Sequence, residues 1–211
     1  TVIIIFISVM LLAFLAGYPL KYLSIIITFS LIFLVFFILI AKSYPELIPN
    51  RIDTWISRIE NFSSSTESGS ESYQVERAKI AISTGEIFGL GAGKSVMKNF
   101  LPQSSSDFIY AIIVEEYGLI GGAFVIILYL LLLFRILVVS YKAKSFFGKL
   151  ITISVGLPII IQAFLNIGVA VNIFPVTGQT LLWISSGGTS VCMTCIAFGI
   201  ILSVTAVYLI Y

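Results

Sequence analysis

Long, nearly uncharged apolar runs constrain this chain more than any other feature. A helix needs about 20 apolar residues to cross the hydrocarbon core of a bilayer. Five stretches reach or approach that length: residues 2–16, 22–41, 117–139, 150–171 and 190–211. In lipid every backbone polar group must be satisfied within the spanning segment or by its protein neighbours, which makes a helix the default. The fold class is therefore all-α. The expectation is a polytopic membrane protein, one integral-membrane domain over residues 1–211 with about five transmembrane helices. Composition agrees: only 10% of residues are charged and mean hydropathy is +1.11, against about 25% charged in soluble domains. A net charge of +2 gives no basis for binding nucleic acid.

Orientation follows from the Lys/Arg bias of the short loops. Lys21 lies between the first two runs, and Arg135, Lys142, Lys144 and Lys149 lie between the third and fourth. Both connections read as cytoplasmic. The long loop over 42–116, with its balanced charges, and the connection over 172–189 then lie outside. The chain opens on Thr1 within an apolar run and lacks the basic start and small-residue cleavage site of a signal peptide. It reads as a fragment whose N-terminal part is missing.

The long loop has internal organisation. Arg51, Trp55 and Arg58 share one helical face. "SSSTESGSES" (63–72) reads as a flexible polar linker, "YQVERAKIAIS" (73–83) as a short amphipathic helix, and "TGEIFGLGAGKS" (84–95) as a glycine-rich turn region. The last resembles a phosphate-binding loop, but Phe88 stands where the first glycine is required. Asn61 begins a glycosylation triplet, which needs a secretory context to matter. Cys192 and Cys195 fall within an apolar helix and read as packing residues. Histidine is absent, so this stretch carries no His-based triad.

Three blocks carry a resemblance: "YQVERAKIAISTGEIFGLGAGKSVMKNFLPQSSSDFIYAIIVEEYGLIGG" (73–122), "NIGVAVNIFPVTGQTL" (166–181) and "ISSGGTS" (184–190). In order and spacing they resemble the SEDS family of bacterial cell-wall proteins, the group of FtsW, RodA and SpoVE. The wording around Asp107 is closer to the FtsW type. Departures are Glu86 after Gly85, Gln103, Leu182 and Ser186. The resemblance implies a ten-span fold, of which this chain looks like the last five. It implies a peptidoglycan glycosyltransferase that polymerises lipid II into glycan strands at the outer face of the bacterial cytoplasmic membrane. It also implies partners: a class B penicillin-binding protein, other cell-division proteins and membrane lipids. Two rival readings are a flippase for lipid-linked precursors and a non-catalytic divisome scaffold. A flippase would place its functional polar groups at the bilayer midplane, whereas here they concentrate at the outer rim.

Glycan polymerisation joins an acceptor hydroxyl to an anomeric carbon while a lipid pyrophosphate leaves. A base must take the hydroxyl proton, and one carboxylate suffices. The resemblance assigns that role to Asp107, expected at a helix start on the outer surface. The plainer reading is a first-turn or capping acid. Pyrophosphate calls for cations, and Arg51, Arg58, Lys79, Lys94 and Lys98 are the substrate-binding candidates. A divalent cation could assist, although no ligand cluster argues for a metal site. A single helix from Asp107 to Val139 would be about 50 Å long. A protein-buried or interfacial segment to about Glu116 is expected instead, with the span beginning at Tyr117. Glu115 and Glu116 would mark the rim, in a structural ion pair or in contact with substrate; Glu115 is the substrate-contact candidate. Gln162, Asn166 and Asn172 read as inter-helix hydrogen bonders.

Overall fold

A computed structural model describes residues 2–43, 70–101 and 105–210. Every regular element among them is helical. They are α1 (Val2–Leu15), α2 (Leu20–Ser43), α3 (Ser70–Gly85), a 3-10 turn (Met97–Asn99), α4 (Ile109–Lys142), α5 (Phe146–Ala170) and α6 (Gly188–Ile210). Helices α2, α4, α5 and α6 are long and apolar enough to cross a membrane; α1, with 14 residues, is a shorter apolar helix. The chain is an integral membrane protein. Apolar side chains lie exposed along α2, α4 and α6, among them Phe29, Phe33, Phe134 and Met193, because lipid is the solvent they meet.

The main core lies between α4, α5 and α6. Tyr129, Ile136 and Val139 of α4 pack with Ile160, Ala163 and Ile167 of α5 and Ile201 of α6. Gly156 permits a close approach of α5 to α4: a Cβ there would stand 2.8 Å from the Ile136 side chain. A second cluster joins α3 to the start of α4 and the end of α5, with Ala78 and Ala81 of α3 meeting Phe108, Ala111, Leu101 and Val169. Helix α3 thus packs against the start of α4 and the end of α5. It begins at Ser70, so residues 70–72 of the expected flexible linker are helical.

Helix α4 breaks at Gly118, whose backbone takes φ 70° and ψ −171°. The length argument placed a division at about Glu116. The break is filled by the glycine-rich segment. Leu119 and Ile120, whose intrahelical acceptors would be Glu115 and Glu116, donate instead to the carbonyls of Glu86 (2.9 Å) and Ile87 (3.4 Å). The carbonyls of Glu115 and Glu116 accept from Leu90 (3.0 Å) and Gly91 (2.9 Å). Backbone thus lies directly on backbone. A Cβ on Gly85 would be 2.0 Å from the Val114 carbonyl oxygen, on Gly89 2.3 Å from that of Glu116, and on Gly118 2.2 Å from that of Ile87. These glycines, which resemble a phosphate loop in sequence, serve to close a helix break.

Candidate functional site

The segment between α5 and α6 folds back into the bundle. Asn172 ends α5 in the left-handed conformation (φ 60°), with Ile173 N–H donating to the Gly168 carbonyl at 2.8 Å. Asn172 is therefore a helix terminator rather than an inter-helix bonder. Beyond it, Leu181 and Leu182 are buried. Tyr129, 11 residues past the break in α4 and so about 16 Å along it, donates its hydroxyl to the Leu182 carbonyl. Gln162 donates to the Thr180 carbonyl at 3.3 Å and Asn166 to that of Gln179 at 2.6 Å. Irregular backbone at this depth needs such partners. The amides expected to bond helix to helix bond helix to loop.

This re-entrant loop holds the turn that carries Asp107. The Ser105 carbonyl accepts from Ser186 N–H (3.0 Å) and Oγ (3.1 Å). The Ser106 carbonyl accepts from Ser185 Oγ at 2.6 Å, and the Asp107 carbonyl from Asn166 Nδ2 at 2.8 Å. Ser185 Oγ also accepts from Leu181 N–H at 2.8 Å. Three consecutive carbonyls of the turn are thereby fixed by residues 59 to 81 positions away.

Asp107 itself departs from expectation in two ways. Helix α4 starts at Ile109 behind an N-cap at Phe108 that has no side-chain cap bond, so Asp107 does not cap it. It is also 7% exposed rather than displayed on the surface. Among the described residues its carboxylate receives one hydrogen bond, from Ser106 Oγ to Oδ1 at 2.5 Å. Its Oδ2 faces Gly178 (φ 65°), where a Cβ would stand 3.7 Å away. A carboxylate buried with so little compensation is costly, and such groups concentrate where chemistry needs them.

Glu115 is fully buried and differently used. Its carboxylate accepts from Ser95 Oγ (2.5 Å), Val96 N–H (3.0 Å) and Met97 N–H (3.2 Å). Neither the substrate contact nor the ion pair expected of Glu115 matches this arrangement: its donors are neutral and belong to the loop. The charge anchors the 3-10 turn that leads to Leu101 and the Asp107 turn. Glu116 is half-buried and lines a cleft of about 190 Å³ with Lys98, Ser105, Ile109, Ile112 and Ile113.

Of the candidate cations, Lys98 lines this cleft beside the Asp107 turn. Lys79 on α3 and Lys94 in the anchored loop are exposed and do not line it. Arg51 and Arg58 lie outside the described residues. Arg77 was not among the candidates; its guanidinium stacks 4.8 Å from the Tyr73 ring, and its Nε is enclosed with no hydrogen-bond partner among the described residues. Among the described residues no group of three or more His, Cys, Asp or Glu is placed to hold a metal ion. Sequence reasoning missed Ser185, Gly178 and the bond from Asn166 to Asp107. The signal available was the pair of loop blocks at 166–181 and 184–190, whose order says nothing of their partners.

A 136-residue stretch is 46% identical to the probable peptidoglycan glycosyltransferase FtsW of Hydrogenovibrio crunogenus, covering 63% of this chain and 35% of that protein. A 173-residue stretch is 38% identical to the probable peptidoglycan glycosyltransferase FtsW of Lactococcus lactis, covering 80% of this chain and 40% of the relative. Stage V sporulation protein E of Bacillus subtilis is 37% identical over 134 residues, 63% of this chain and 37% of its own length. The matched stretches thus span well under half of these relatives. In fold, the chain superposes with a TM-score of 0.71, at 23% identity, on a chain of a solved peptidoglycan synthase complex, covering 98% of this chain and 55% of that one. The family model described as "Cell cycle protein" matches residues 1–208, and the chain belongs to this FtsW/RodA/SpoVE family.

Proposed function

We propose that the protein to which this chain belongs is a peptidoglycan glycosyltransferase that polymerises lipid II at the outer face of the bacterial cytoplasmic membrane, with Asp107 as general base. One observation carries the assignment of the base. Among the described residues, two acids at this end of the bundle are fully or almost fully buried: Glu115 is occupied by three loop donors, whereas Asp107 receives one bond from them and keeps its other acceptor positions. In the reaction the acceptor 4-hydroxyl oxygen bonds to the donor's anomeric carbon and its proton passes to Asp107. The bond from that carbon to the pyrophosphate oxygen breaks, and the lipid pyrophosphate leaves with the electron pair. That leaving group is already a good one once its charge is neutralised, so no second carboxylic acid is required.

The cleft beside the turn suits an amphiphile. Ile109, Ile112 and Ile113 offer apolar surface and Lys98 a cation. Lys98 is accordingly the first candidate for the pyrophosphate, with Arg51, Arg58, Lys79 and Lys94 secondary. Glu115 is assigned a positioning role through the loop that carries Lys98. A class B penicillin-binding protein is the proposed partner, since a solved structure with this fold belongs to a peptidoglycan synthase complex. Dependence on a divalent cation is tested by adding chelator and then magnesium to the same assay.

The test reconstitutes the full-length protein in vesicles with lipid II and scores polymer and transbilayer movement separately. Asp107→Asn, which keeps shape and removes basicity, should lower polymerisation by about 10²- to 10⁴-fold. Polymer at the wild-type rate from this variant would overturn the assignment of the base. Movement of lipid II without polymer from the unmodified protein would favour the flippase reading.

A further inference from the structure

Asn166 lies at the outer end of α5 and is 1% exposed. Its Nδ2 donates to two carbonyls from separate segments, Asp107 at 2.8 Å and Gln179 at 2.6 Å. An amide carries two N–H donors, so both bonds form together. This also fixes the amide's orientation, because a flipped group would set oxygen against two carbonyl oxygens. The remaining atom, Oδ1, is enclosed with no hydrogen-bond partner among the described residues. The rest of the turn is held independently, Ser105 by Ser186 and Ser106 by Ser185. Only the carbonyl of residue 107 depends on Asn166. That carbonyl carbon is bonded to the α-carbon that bears the Asp107 side chain, so holding the carbonyl holds the α-carbon and with it the root of the carboxylate.

We propose that Asn166 is a positioning residue, whose amide bridges Asp107 and Gln179 and thereby aims the Asp107 carboxylate at the acceptor hydroxyl. The proposal rests on the reading of Asp107 as base. The bridge also ties residue 179 of the re-entrant loop to residue 107. Gln162 provides a matched control. It makes the neighbouring amide bond to the same loop, to Thr180, and none of its described bonds reaches the Asp107 turn.

The experiment uses the full-length protein and lipid II, with kcat, KM and melting temperature measured for Asn166→Asp and Gln162→Ala. Asn166→Asp keeps the shape and Oδ1 but loses the amide donors. Turnover should fall by about 10- to 100-fold, the scale of a catalytic group misplaced by about 1 Å. KM should stay within about threefold, since no ground-state contact to substrate is removed. Wild-type kcat in Asn166→Asp overturns the proposal, whatever happens to its melting temperature. If both variants melt lower, Gln162→Ala decides: retained kcat there supports the proposal, and an equal loss overturns it. Failure of the underlying reading looks different, because Asp107→Asn would then stay active. An inactive Asp107→Asn beside a fully active Asn166→Asp overturns the positioning role alone.

Discussion

Asp107 and Glu115 lie close in sequence and are both enclosed, yet their surroundings give them different work. Glu115 holds one hydroxyl and two backbone N–H groups that would otherwise start a 3-10 turn without acceptors. Hydrogen bonds to a charged acceptor contribute more than neutral ones. Glu115→Gln keeps the volume and loses the charge, and one amide N–H would face donors. We expect a loss of about 1.5–3 kcal/mol in stability, measured as a lower melting temperature in detergent. Trypsin should also cleave faster after Lys94 and Lys98, since the loop that carries them loses its anchor. An unchanged cleavage rate would remove Glu115 from the role of loop anchor. Asp107→Asn, by contrast, should leave melting unchanged or raise it, because among the described residues the buried carboxylate receives a single hydroxyl bond while its backbone carries the turn.

The break in α4 and the glycine-rich segment form one structural element. A segment rich in glycine reads in isolation as a turn or a ligand loop. Here its glycines permit two backbones to touch. Gly85→Ala would drive a methyl against the Val114 carbonyl, and Gly89→Ala adds a strained positive φ to a similar collision with Glu116. Each should cost about 3 kcal/mol or more, within the range that backbone clashes and strain produce. Gly199, inside α6 with open space around it, is the control. Its change to Ala should be neutral or stabilising by up to about 1 kcal/mol. Melting curves of the three variants in one detergent check this order, and equal losses for Gly85 and Gly199 would contradict the backbone contact.

For the whole molecule, the arrangement requires two sides. The Asp107 turn, α3 and the 3-10 turn share one end, and the short connection at residues 143–145 shares the other. From the lysine bias of the short loops we propose that the latter faces the cytoplasm. In a background with Cys192 and Cys195 changed to Ser, Lys94→Cys should react with a membrane-impermeant maleimide in intact cells. Lys144→Cys should react only after permeabilisation. The reverse pattern would invert the topology and move Asp107 away from an external substrate. The re-entrant loop belongs to this scale as well. Tyr129→Phe leaves the buried Leu182 carbonyl unpaired, at a cost of about 1–3 kcal/mol. Hydrogen exchange should then rise over residues 179–186.

The sequence by itself determined the helices and the membrane. Apolar runs of spanning length must be helical in lipid, and this follows from local composition without knowledge of neighbours. Length also required α4 to divide near its acidic pair, and the motif blocks placed the chain in its family and marked Asp107. Tertiary structure decided how the side chains are used. Which carboxylate keeps its acceptor positions, what the glycines contact, and why Asn166 sits at the end of α5 depend on partners 13 to 81 residues away. Sequence periodicity describes which face of a helix is apolar, but not which distant carbonyl a buried amide will meet. That choice is made by packing, because a polar group enclosed at this depth must find its partner in whatever segment folds against it.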